Sequence, residues 1–203
     1  RSPSAVTNRA PSADSMPAPP SVVALPPTPN TMLRAPASSA ARSSSPEPYV
    51  DAVSGAKVWE YHTIPRPGEP GHETWGNDSW KNRTGNNVWA FALTVDEAAG
   101  LEYMPVNTPG ANYYGGDRPG NNVFGNSIVA VDARTGAYRW HFQTVHHDLW
   151  DIDMPSAGGL FEFDRSGTRV PAIAHVGKSA YFYVLDRTTG EPLHEVVETP
   201  VPR

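Results

Sequence analysis

The stretch Val131-Asp132-Ala133-Arg134-Thr135-Gly136-Ala137-Tyr138-Arg139-Trp140 decides the fold. An apolar run, Ser127 to Val131, precedes the turn, and Tyr138-Arg-Trp-His-Phe142 follows it. Aspartate opens such a turn by accepting backbone hydrogen bonds, and glycine closes it by taking a positive φ. The same element stands at Val50-Asp51-Ala-Val-Ser-Gly55-Ala-Lys-Val-Trp59. Its first half returns at Asp186-Arg-Thr-Thr-Gly190, with Leu193 and His194 where the tryptophan would fall. Asp96-Glu-Ala-Ala-Gly100 and Phe163-Asp-Arg-Ser-Gly167 are further turns of this kind. Strands are therefore expected over 88–95, 101–104, 127–131, 138–142 and 180–185. Long apolar stretches with a 3.6-residue period are absent, so helices should be minor. An Asp-x-x-[Ser/Thr]-Gly-x-x-x-Trp hairpin repeated along an all-β chain is the pattern of propeller blades. Trp59 and Trp140 then read as packing residues between neighbouring blades.

Composition sets the bounds around this pattern. The chain has 203 residues, with 16 basic and 21 acidic side chains, a net charge of −5, and no cysteine. No basic run offers a footprint for nucleic acid. No apolar stretch approaches the roughly 18–20 residues of a membrane span. The lack of cysteine excludes disulfides, cysteine nucleophiles, thiolate zinc sites and covalently attached CxxCH haem. Half of the 22 prolines lie in residues 1–50, whereas all 17 glycines lie beyond them. Residues 1–48, rich in Pro, Ser and Ala, are expected to be a disordered or non-homologous tail without a function. The foldable part is 49–203, enough for one modest core.

Several segments together resemble a known family. The Ala130–Trp140 element resembles the tryptophan-docking motif of the pyrroloquinoline-quinone (PQQ) dehydrogenases. Phe142-Gln-Thr-Val-His-His-Asp-Leu-Trp-Asp-Ile-Asp-Met-Pro155 resembles their active-site segment and is most similar to that of the membrane glucose dehydrogenase branch. Tyr113-Tyr-Gly-Gly-Asp-Arg118 and Gly71-His-Glu-Thr-Trp75 fit the same branch. The resemblance covers roughly residues 50–203. It implies an eight-bladed propeller that holds PQQ and calcium, or another divalent or lanthanide ion. At roughly 40–50 residues per blade, this chain would supply about three blades, a partial β-propeller.

By that resemblance Asp151 is the catalytic aspartate and a metal ligand. A carboxylate can take the hydroxyl proton as hydride leaves carbon, and it suits a hard cation. Asp153, two residues on, faces the same way if the segment is extended, and is a further metal candidate. Lys178 matches the cation beside the quinone oxygens, where a fixed ammonium stabilises developing negative charge. Trp89 matches the aromatic floor under the flat cofactor. Asn107 and Thr108 fall where relatives place an oxygen ligand. The residues by themselves leave blander readings open: a solvated acidic loop for Asp148, Asp151 and Asp153, an ordinary turn lysine for Lys178, and a core residue for Trp89. Adjacent His146 and His147 diverge on a strand, so hydrogen-bonding or packing roles are expected for them rather than a metal pair.

The resemblance implies oxidation of a sugar or alcohol in the periplasm, with electrons passed to ubiquinone or cytochrome c. Attachment to the inner membrane would run through an N-terminal part beyond this chain. An open three-blade wedge exposes strand edges and half of its central pocket, so the missing blades would be needed and the isolated piece is expected to be inactive. Two alternatives stay open: a non-catalytic propeller that binds proteins, and an inactive partial gene product.

Overall fold

The computed structural model describes residues 47–89 and 91–199. All but the last two residues of the expected N-terminal tail lie outside that range. Nine antiparallel strands are described: β1 (Glu47–Val50), β2 (Lys57–Tyr61), β3 (Thr94–Asp96), β4 (Leu101–Val106), β5 (Ser127–Asp132), β6 (Tyr138–Gln143), β7 (Gly159–Arg165), β8 (Thr168–Val176) and β9 (Phe182–Asp186). They form three successive sheets in simple up-and-down order, β1-β2, β3-β4-β5-β6 and β7-β8-β9. Helix is confined, among the described residues, to two single 3₁₀ turns at His72–Thr74 and Gly76–Asp78. The expected all-β blade architecture is what forms.

Four of the hairpins share one local mechanism. Asp51 accepts from the backbone of Val53 and Ser54, Asp132 from Arg134 and Thr135, Asp186 from Thr188 and Thr189, and Asp96 from Ala99. Each turn closes on a glycine with φ between 67° and 79°. The tryptophans explain why the motif extends beyond the turn. Trp59 of the first sheet lies over Gly136 in the second sheet's turn, and its Nε1 donates to the Ala133 carbonyl at 3.2 Å. Trp140 of the second sheet repeats this on the third, lying over Gly190 and donating to the Arg187 carbonyl at 3.2 Å. A β-carbon at Gly136 would stand 2.6 Å from the Trp59 ring, so glycine is needed for contact as well as for φ. Arg187 adds an ion pair to the Asp96 carboxylate at 2.8 Å, tying the same two sheets.

The middle sheet is buried on both faces. Ile128 and Ala130 of β5, with Leu101 and Tyr103 of β4, pack toward Ile173, Tyr183 and Leu185 of the third sheet. Val129, Val131, Met104 and Val106 pack the other way, toward Trp59 and Tyr61. Successive side chains on a strand point to opposite faces, so two buried faces require the nearly continuous apolar runs seen in β4 and β5.

One expected strand is largely absent among the described residues. Regular pairing begins only at Thr94, and Val88 keeps an isolated bridge to Val106. The cause lies on β4. Trp89 N donates to the Pro105 carbonyl, so that face of Pro105 looks outward, and proline has no N–H to return. The Trp89 carbonyl instead accepts from Ala92 within a turn.

Candidate active site

Three connecting segments converge at one end of the second and third sheets: 107–126 between β4 and β5, 144–158 between β6 and β7, and 177–181 between β8 and β9. Lys178 is held in the last of these by its backbone N–H, which donates to the Asp153 carbonyl at 2.9 Å. Its ammonium donates to Asp151 Oδ2 at 2.7 Å and to Asp153 Oδ2 at 2.6 Å. Those two carboxylates raise the lysine pKa, Asp151 most strongly, and so keep it protonated. Lys178 stands in an exposed turn, with its ammonium shared between the two carboxylates. Asp151 sits at φ 59°, a left-handed conformation that aspartate tolerates better than most residues. Its other oxygen accepts from Asn112 Nδ2.

Asp153 is buried, and its Oδ1 accepts from the backbone N–H of Thr108 at 2.8 Å. Asp148 is 1% exposed. The solvated-loop reading of this acidic string therefore fails for two of its three members. Asp148 Oδ2 accepts from the Thr108 hydroxyl at 2.6 Å, from Asn126 Nδ2 at 3.0 Å and from Ile152 N at 2.7 Å. Its Oδ1 accepts from Trp150 N at 2.9 Å. Arg118, fully buried, donates to the Asp148 carbonyl and to Asn122 Oδ1, the latter at 2.7 Å. Burial and the neighbouring Arg83 pull the Arg118 pKa down from its ordinary value, while Asp148 opposes them.

The expected residues are thus sorted by geometry. Asp151, Asp153, Lys178 and Thr108 share one hydrogen-bonded cluster. The Thr108 hydroxyl is already committed, since it donates to Asp148 and accepts from Asn126. Asn107 Oδ1 is buried with no partner among the described residues. Trp89 makes none of the cluster's contacts; it packs edge-on against Phe91, with centroids 5.5 Å apart. His146 and His147 stand in a turn after β6 rather than on a strand, and they take separate hydrogen-bond partners, His146 with Glu198 and His147 with the Gly120 carbonyl. Asn112, Arg118, Asn126 and the buried state of Asp148 escaped sequence reasoning. Each has a partner 22 to 40 positions away, and no local periodicity marks them.

The cluster can perform two tasks: accept a proton at Asp151 and hold a fixed positive charge at Lys178. Comparison with known proteins places the chain in a family. Residues 20–203 match the model of the PQQ-dependent glucose/ethanol/alcohol dehydrogenase β-propeller domain. The chain is 35% identical over 153 residues to the quinate/shikimate dehydrogenase (quinone) of Acinetobacter baylyi, covering 74% of this chain and 18% of that protein. It is 40% identical over 119 residues to quinoprotein glucose dehydrogenase A of Acinetobacter calcoaceticus, covering 58% and 15%. The structure superposes on the quinohemoprotein alcohol dehydrogenase ADHIIG of Pseudomonas putida HK5 with a TM-score of 0.67 and 31% identity, covering 72% of this chain and 23% of that one. The chain thus spans about a fifth of the length of the relatives it matches. It belongs to the PQQ-dependent dehydrogenases and aligns with part of their β-propeller domain.

Proposed function

We propose that this segment carries the proton-accepting and charge-stabilising groups of a PQQ-dependent active site that oxidises a hydroxyl of a sugar or alcohol. The observation that carries this reading is the single ammonium of Lys178 lying between Asp151 and Asp153.

The residues fit the groups the family implies. Asp151, Asp153 and the unpartnered Asn107 Oδ1 are oxygen donors of the type that a hard cation prefers. Among the described residues no three carboxylate or imidazole groups converge as a metal site, so the amide oxygen and the cofactor would complete the ligand set. Thr108 serves that set by bonding the carboxylates rather than by offering a free oxygen. The Trp89 indole offers a face for stacking a planar ring. PQQ, when bound, supplies a two-electron acceptor, and calcium or another divalent or lanthanide ion polarises it.

Asp151 accepts the hydroxyl proton as the substrate carbon gives up its hydride, leaving a carbonyl product. Lys178 stabilises the negative charge that the acceptor gains, and a preorganised ammonium costs no reorganisation at that moment. Asp153 keeps Lys178 in place while Asp151 is protonated. Electrons then pass to ubiquinone or cytochrome c in the periplasm. With only three blades of an eight-bladed ring, the isolated segment holds PQQ weakly and turns over poorly.

The test is a titration with PQQ and calcium, followed by tryptophan fluorescence, together with dye reduction across a panel of sugars and alcohols. It is run on the segment and on the longer polypeptide that carries it. Cofactor uptake and turnover by the longer polypeptide are expected; no uptake by either ends the reading.

A further inference from the structure

The Asp148 carboxylate is buried, touches neither Lys178 nor Asp151, and has no part in the chemistry just described. Its four hydrogen bonds come from both ends of the 107–126 connection, Thr108 after β4 and Asn126 before β5, and from the backbone of Trp150 and Ile152. Trp150 and Ile152 are the two neighbours of Asp151. The backbone N–H groups of both neighbours of the proposed base are therefore pinned to one carboxylate three residues upstream of it. Between them, Asp151 takes the φ of 59° that aims its side chain at Asn112 and Lys178. Asn126 reinforces the loop by donating also to the Ile152 carbonyl at 2.6 Å, and Arg118 fixes the Asp148 carbonyl.

We propose that Asp148 is a positioning residue that clamps the 148–152 loop and thereby sets the direction of Asp151 toward Lys178. The role at the reacting atoms rests on the dehydrogenase reading; the clamp itself does not. Carboxylate is the suitable group because all four partners are donors. An amide in its place keeps only one accepting oxygen and turns an N–H₂ toward a backbone N–H or a hydroxyl.

The clamp is tested on the full 203-residue chain by hydrogen exchange and side-chain NMR. The amides of Trp150 and Ile152 lie outside every strand, yet both should exchange at least about tenfold more slowly than the turn amide of Ser166, the discrimination expected of a retained hydrogen bond. In Asp148→Asn, this protection and the Lys178–Asp151 contact seen on the lysine ammonium should be lost together, while the backbone resonances of β5 and β6 stay in place. Two outcomes overturn the proposal: unprotected Trp150 and Ile152 amides in the unsubstituted chain, or an unchanged Lys178 signal in Asp148→Asn. The exchange measurement needs no variant, so it decides even if Asp148→Asn fails to fold. Failure of the dehydrogenase reading shows separately, as absence of PQQ uptake with the clamp intact.

Discussion

The middle sheet and the loop cluster above it are built from opposite materials. β4 and β5 bury apolar side chains on both faces, and each neighbouring sheet is joined to the middle one by a tryptophan laid on a glycine turn. The loop cluster is equally dry at Asp148, Asp153, Thr108, Arg118 and Asn126, but it is held almost wholly by hydrogen bonds and charge. Apolar packing tolerates small shifts and is non-directional. A buried polar network is directional, and loss of one partner leaves the others unsatisfied. The difference is that the sheets supply stability, whereas the loops supply one orientation of Asp151 and Lys178.

Breaking the packing side should give the largest stability change. Trp140→Ala removes the ring between the second and third sheets and should cost about 3–5 kcal/mol, read as a shift in the urea midpoint. Asp151 and Lys178 belong to connecting loops, so Asp151→Asn should move the same midpoint by less than about 1 kcal/mol.

Next comes a buried acid within the middle sheet. Glu102 is 2% exposed with one carboxylate oxygen unpartnered, and burial raises its pKa to about 7 from 4.5. A raised folded value means that the native state holds the proton more tightly. The Glu102 contribution is therefore full below pH 4.5 and is lost as pH rises through 7, by on the order of 3 kcal/mol. His175 in the third sheet acts oppositely: burial lowers its pKa to about 4 from 6.5, so its contribution is present above pH 6.5 and is lost as pH falls through 4. The two slopes offset each other over most of that window. Glu102→Gln should expose the histidine slope, giving urea midpoints that rise between pH 4.5 and 6.5; a flat profile in the variant would show that His175 does not titrate as described, and the same rise already present in the unsubstituted chain would show it of Glu102.

A smaller effect is expected at the inter-sheet turns. Gly190→Ala places a β-carbon 2.5 Å from the Trp140 ring at a φ of 79°. It should cost about 1–3 kcal/mol. Gly167→Ala, equally positive in φ but with open space around it, should cost less by the clash component. Equal losses in the two would remove the docking role assigned to Trp140.

The same contrast explains what could be read from sequence. The Asp132–Gly136 turn and Trp140, which docks on the turn of the next sheet, lie within nine residues of sequence, and turn chemistry is local, so the blade pattern and the inter-sheet tryptophans were legible. Asp151, Asp153 and Lys178 were legible only through the long string that resembles the family. The burial of Asp148 was not legible, because its side-chain partners Thr108 and Asn126 lie 40 and 22 positions away. The failed strand at 88–93 has a similar origin: the missing N–H belongs to Pro105, on a neighbouring strand.

The central claim is that Asp151 is the base beside a PQQ ring, with Lys178 as the fixed cation. Dye-linked turnover of Asp151→Asn, measured with PQQ and calcium bound in the polypeptide that carries this segment, tests it most directly. The account predicts a fall in kcat of about 10²–10⁴-fold with cofactor uptake retained. Turnover within twofold of the unsubstituted protein would contradict it.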